Sequence, residues 1–139
     1  MDKIYNITKS KKIAATEWGD EKNPMVIMLH GGGQTRHSWK GSASKIANLG
    51  FHVIAYDLRG HGESFWDENG DYTFNSHKDD LIEIIKQNNK KANLVGASLG
   101  GMVSLSLAGH EKDKNFCSSL TMVDIGIRPN DKGSERIIN

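Results

Sequence analysis

The sequence predicts an α/β domain built on a mostly parallel sheet with flanking helices. Three observations carry that expectation. Short apolar runs alternate along the chain with segments of helical period. The runs at residues 25–30 and 51–56 are continuously apolar or nearly so, the pattern of strands buried on both faces. Glycine-rich loops follow two of the runs directly, at 31–33 and 96–101, and Asp57 closes a third.

Taken in order, residues 4–8 and 12–18 read as two short strands joined by a turn at Lys9, Ser10 and Lys11. Pro24 punctuates the chain before the strand at 25–30, and Gly31, Gly32 and Gly33 end it. A helix with Trp39, Ala43, Ile46 and Ala47 on one face follows, with Gly50 at its C-terminal cap. The strand at 51–56 leads into a polar loop over 58–71. Asn75 or Ser76 is the expected cap of a second helix, with Asp79 and Asp80 in its first turn and an apolar stripe of Leu81, Ile84 and Ile85. A strand at 92–97 passes into a helix at 98–108 with Met102, Leu105 and Ala108 on one side, ending at Gly109. A last strand is expected at 119–123, followed by a polar tail at 124–139.

A chain of 139 residues has room for about one domain. Eighteen Lys and Arg against seventeen Asp and Glu give a net charge of +1, which offers no electrostatic footprint for nucleic acid or an anionic membrane. The longest apolar run, 25–29, is far too short to cross a bilayer. The opening MDKIYNITKS has no apolar stretch of the secretory kind. A single cysteine, Cys117, excludes an intramolecular disulfide framework and a cysteine-rich zinc site, so a cytoplasmic setting is expected. No cofactor or metal is implied.

Three constellations carry chemistry. Gly96-Ala97-Ser98-Leu99-Gly100 is a G-x-S-x-G at the join of a strand and a helix, where the motif makes a sharp turn that lifts the serine hydroxyl at the carboxyl edge of a sheet. The helix beginning there aims its N–H groups at the reacting centre. The competing reading is a tight strand–helix turn with an incidental serine. His30-Gly31-Gly32-Gly33-Gln34 follows a strand, as a phosphate cradle does, but Arg36 stands where a dinucleotide loop needs its third glycine, and there is no G-K-[ST]. An oxyanion hole is the better reading, with the Gly32 N–H as one donor and the Leu99 N–H as the second. In Asp57-Leu58-Arg59-Gly60-His61-Gly62-Glu63-Ser64, Asp57, His61 and Glu63 are potential metal ligands at a spacing that matches no ligand motif. A turn held by local Asp and Arg hydrogen bonds is preferred.

HGGGQTRHSW, DLRGHGES and GASLGG, in that order, resemble the α/β-hydrolase superfamily over residues 12–128, and VDIGIRP at 123–129 resembles the end of its sixth strand. The resemblance implies an incomplete α/β-hydrolase core with about six of eight strands, the core running to about residue 125 and a cap or linker beginning at 126–139. It implies Ser98 as nucleophile, Gly32 and Leu99 as the oxyanion hole, and 57–64 as a structural turn after the fourth strand. Epoxide hydrolases and haloalkane dehalogenases carry aspartate at the nucleophile position. Serine there points to esterases, thioesterases, C–C bond hydrolases or cofactor-free perhydrolases.

A serine nucleophile needs a base, and the base needs an orienting acid. The superfamily places the histidine after its eighth strand. Only His110 follows Ser98 in this chain, and a helix of that length separates the two by about 18 Å. His30 is expected to order the oxyanion loop and His61 to belong to the turn. Asp124, at the end of the last strand, reads either as the catalytic acid or as a strand-end aspartate capping the next turn. The expectation is therefore a serine hydrolase acting on a small ester, thioester or related carbonyl substrate through an acyl-enzyme, represented here by its N-terminal half and inactive in that form. The alternative is a non-catalytic hydrolase-fold binding protein or a gene remnant. An exposed edge at the sixth strand predicts a tendency to associate.

Overall fold

The computed structural model describes residues 1–123. The chain forms six strands: β1 (Asp2–Asn6), β2 (Lys12–Trp18), β3 (Met25–Leu29), β4 (His52–Tyr56), β5 (Ala92–Ala97) and β6 (Cys117–Val123). They make one sheet in the order β1-β2-β4-β3-β5-β6. The β1–β2 and β2–β4 pairs are antiparallel, and β4, β3, β5 and β6 are mutually parallel. Three helices flank the sheet: α1 (Lys40–Asn48), which continues a 3-10 turn at Arg36–Trp39, α2 (Phe74–Asn88) and α3 (Leu99–Ala108). The mostly parallel α/β architecture expected from the sequence is the one observed. Asp124 and the segment 126–139 lie outside the described residues.

Every residue of β3 and β4 is buried, because the sheet is covered on both faces. The pleat sends alternate side chains to opposite sides. Met25, Ile27 and Leu29 enter one core with Leu81 and Ile84 of α2 and Val103 and Leu107 of α3. Val26 and Met28 enter a second core with Trp39 and with Ala43 of α1. Helix α1 thus covers one face, and α2 and α3 cover the other.

Three local expectations need correction. The N-cap of α2 is Thr73, not Asn75 or Ser76: its backbone is extended and its Oγ1 accepts the Ser76 N–H at 3.2 Å. Asp79 and Asp80 consequently fall beyond the first turn, and Asp80 is buried against Arg59 rather than serving the helix dipole. Helix α3 buries Gly100, Gly101, Val103, Ser104 and Leu107, while Met102 and Leu105 are exposed. Its small-residue side is drawn onto the sheet because Gly100 packs against the Leu29 carbonyl.

Candidate active site

Strand β3 lies between β4 and β5, and all three run the same way. Their carboxyl ends therefore deliver residues 30–36, 57–64 and 98 to one edge, at the point where the chain reverses its direction across the sheet, and crevices open at such points. Among the described residues no helix is long and apolar enough to cross a membrane.

Ser98 stands between β5 and α3 with φ 52° and ψ −115°, a left-handed backbone that a non-glycine residue adopts at a cost of about 1–3 kcal/mol. The neighbouring glycines show why the turn closes so sharply. A Cβ on Gly96 would collide with the Gly100 carbonyl, and one on Gly100 with the Leu29 carbonyl. A Cβ on Gly101 would stand 3.2 Å from the Gly96 oxygen. The Ser98 side chain is exposed, and its hydroxyl has no hydrogen-bond partner among the described residues.

The glycine loop lies directly against this turn. A Cβ on Gly31 would be 3.4 Å from the Ser98 Cβ, and one on Gly32 would be 3.9 Å from the Leu99 Cβ. The Gly100 N–H donates to the His30 carbonyl at 3.1 Å, tying α3 to the start of the loop. Among the described residues the N–H groups of Gly32 and Leu99 have no acceptor. Two free donors beside an exposed serine can stabilise negative charge that develops on a bound carbonyl oxygen.

Side chains hold the loop from below. His30 is fully buried; its Nε2 accepts the Leu58 N–H at 3.0 Å, which leaves Nδ1 to donate to the Gly31 carbonyl at 2.7 Å. Its expected role in ordering the loop matches this geometry. Burial pushes the His30 pKa down and keeps the ring neutral. His61 works in the same sense: Nε2 accepts the Gly33 N–H at 3.0 Å and Nδ1 donates to the Arg59 carbonyl at 3.1 Å. Gln34 folds back so that its Oε1 accepts the Gly31 N–H at 3.0 Å.

The turn at 57–64 is held by local bonds, from the Glu63 N–H to the Asp57 carboxylate and from the Ser64 hydroxyl to the Asp57 carbonyl, and by long-range ones as well. Buried Asp57 accepts the Arg36 N–H at 2.7 Å, the Arg36 Nη1 at 2.5 Å and the Glu63 N–H at 2.9 Å. Arg36 also reaches Glu63 through Nη2 at 3.0 Å. Arg59 meets Asp80 of α2 through Nε at 2.7 Å and Nη2 at 2.8 Å. The Asp57 oxygens, both His61 ring nitrogens and one Glu63 oxygen thus engage protein partners. Arg36, read in the sequence only as a residue that breaks a nucleotide-binding pattern, anchors the exit of the glycine loop. Its partner Asp57 is 21 residues away, and no local spacing signals the pair.

All six histidines lie within the described residues. His30 and His61 have both ring nitrogens engaged. His52 pairs with Glu17 at 2.6 Å at the opposite end of the strands. His37 is exposed on the turn before α1. His110 pairs with Asp113 at 3.3 Å beyond the far end of α3. His77 is buried in α2, where desolvation, then the Arg59 charge, pushes its pKa down to about 4. None makes a hydrogen bond to Ser98. Trp39 is buried in the core with Val26, Met28 and Ala97, and Trp66 is exposed beside Lys11, Asp67 and Glu68.

A strained serine between strand and helix, facing a glycine loop on a mostly parallel sheet, defines the class of α/β hydrolases. The chain belongs to the alpha/beta hydrolase fold family, whose model matches residues 24–136. It is 38% identical over 114 residues to an esterase of Mycobacterium tuberculosis, Rv0045c, covering 81% of this chain and 36% of that protein. It is 32% identical over 130 residues to the 3-hydroxybutyrate-oligomer hydrolase of Cupriavidus necator, covering 91% of this chain and 43% of that protein. Among solved structures, the thioesterase domain from the curacin biosynthetic pathway superposes with a TM-score of 0.81 at 23% identity, over 99% of this chain and 51% of that one. This likeness shows the fold. The chain spans less than half the length of these two curated relatives.

Proposed function

We propose that this chain supplies the nucleophile half of a serine hydrolase that acts on a small ester, thioester or related carbonyl substrate. Ser98 attacks the carbonyl carbon, the Gly32 and Leu99 N–H groups receive the developing oxyanion, the alcohol or thiol leaves to give an acyl-enzyme, and water releases the acid. The observation that carries the reading is the left-handed Ser98, exposed beside two backbone donors that have no acceptor among the described residues. The esterase and oligomer-hydrolase relatives favour the same class of substrate. Serine at 98 separates this chain from hydrolases that use aspartate there.

The general base belongs, in this reading, to residues beyond this chain, because none of its six histidines makes a hydrogen bond to Ser98. Residues 1–139 then form a partial domain with a core to about 125 and a cap or linker beginning at 126–139, and the 139-residue chain alone turns over little or no substrate. Asp124 is a candidate acid in this scheme. A cytoplasmic setting goes with the single cysteine. The same histidine geometry favours a second reading, a hydrolase fold that binds a small molecule without turning it over.

The test is hydrolysis of p-nitrophenyl butyrate by the native protein at the length its gene encodes. Ser98→Ala is expected to lower kcat by about a thousandfold or more. Full activity in that variant overturns the assignment, and a native protein that binds acyl ligands without hydrolysing them supports the second reading.

A further inference from the structure

We propose that His61 is a positioning residue for the oxyanion loop, holding its tip through the Gly33 N–H; the proposal rests on the serine-hydrolase reading of Ser98 and Gly32. Gly31, Gly32 and Gly33 have no side chains with which to pack, and glycine loses more conformational freedom on ordering than any other residue. Gly33 adopts φ +78°, and a Cβ placed there would have nothing within 4 Å, so packing does not fix the tip. Hydrogen bonds must. The bond from His30 Nδ1 to the Gly31 carbonyl fixes only the base of the loop, through the Leu58 N–H on His30 Nε2, and those from the Gly31 N–H to Gln34 Oε1 and from the Gln34 N–H to the Gly31 carbonyl lie within residues 31–34 and travel with the loop. Among the described residues, the Gly33 N–H to His61 Nε2 bond at 3.0 Å is the one that ties the tip to another segment.

His61 is suited to that work because it is itself held. Its Nδ1 donates to the Arg59 carbonyl at 3.1 Å, and its ring sits 4.9 Å from the buried His30 ring, centroid to centroid. Arg59 is fastened to Asp80 of α2 by two bonds at 2.7 and 2.8 Å. Restraint therefore passes from a helix, through Arg59 and His61, to the peptide joining Gly32 and Gly33. Orienting that peptide leaves the adjacent Gly32 N–H beside Leu99 in advance of the reaction, which is what makes an oxyanion donor effective.

The experiment compares His61→Leu and His61→Gln in the native protein at the length its gene encodes, with p-nitrophenyl butyrate as substrate. Leucine fills similar space and accepts no hydrogen bond; the glutamine Oε1 reaches the place of Nε2. His61→Leu is expected to lower kcat by about tenfold with KM within about twofold, and His61→Gln to recover kcat to within about threefold of native. Native kcat in His61→Leu, or an equal loss in both variants, overturns the proposal. Ser98→Ala measured alongside separates the two levels: an inactive Ser98→Ala with a fully active His61→Leu removes only the His61 role, whereas an active Ser98→Ala removes the reading beneath it. Should His61→Leu fail to fold, amide exchange in the native protein decides. The Gly33 amide is expected to exchange at least about tenfold more slowly than the Gly32 amide, and equal rates overturn the proposal.

Discussion

Two glycine-rich segments meet at Ser98, and they hold their shape by opposite means. In the turn at 96–101, glycine is required by crowding: side chains at Gly96 or Gly100 would run into backbone carbonyls. In the loop at 31–33, Gly32 and Gly33 have room to spare, and hydrogen bonds from the Gly33 N–H to His61, from His30 to the Gly31 carbonyl and from the Gly31 N–H to Gln34 do the holding. The turn is fixed by packing and the loop by polar contacts. Substitutions in the turn should therefore cost more stability than those around the loop.

Breaking the packed side gives the largest effect. Gly100→Ala is expected to cost more than about 4 kcal/mol, because the Leu29 carbonyl it meets is backbone of the central strand and cannot move aside. Urea unfolding midpoints check this, and a loss under 1 kcal/mol would show that α3 slides freely. On the polar side, Arg36→Leu strands the Asp57 carboxylate, which is fully buried, at an expected cost of about 3 kcal/mol. The double variant Arg36→Leu, Asp57→Leu should recover a substantial part of that loss in the same unfolding experiment.

Acid provides a milder probe. His77 stays neutral in the folded chain down to a pKa of about 4, whereas the unfolded chain takes up the proton near 6.5. Between those values the unfolded state binds more protons, so stability is full above pH 6.5 and falls as pH drops toward 4. His77→Phe should flatten the melting temperature across that window. Gly33→Ala is expected to cost only about 1 kcal/mol, from φ +78° without a clash. Smallest of all, Met102→Lys should change stability by less than about 0.5 kcal/mol yet reduce self-association in light scattering, since Met102, Leu105 and Met122 are exposed next to β6, an edge strand among the described residues.

The same division explains what the sequence revealed. The packed parts were legible: β3, β4 and β5 are short apolar runs whose neighbours all demand burial, and the spacing of Gly96, Ser98 and Gly100 marks the turn. The polar fastenings were not. Arg36 and Asp57, or Arg59 and Asp80, lie 21 residues apart and carry no periodic signal. Asn75 and Ser76 offer the same capping chemistry as Thr73, and Asp71, which accepts from the hydroxyls of both Thr73 and Ser76, settles where the helix begins. On α3, hydrophobicity ranks Met102 and Leu105 above Gly100 and Ser104, while close approach to the strand selects the small residues for burial.

The central claim, that Ser98 is a nucleophile whose base lies beyond this chain, is tested most directly by a fluorophosphonate probe read by intact and peptide mass spectrometry. The account predicts a single adduct at Ser98 in the native protein at the length its gene encodes, and no more than trace labelling of the 139-residue chain by itself. Rapid labelling of Ser98 in the 139-residue chain, or an adduct on another residue in the native protein, would contradict it.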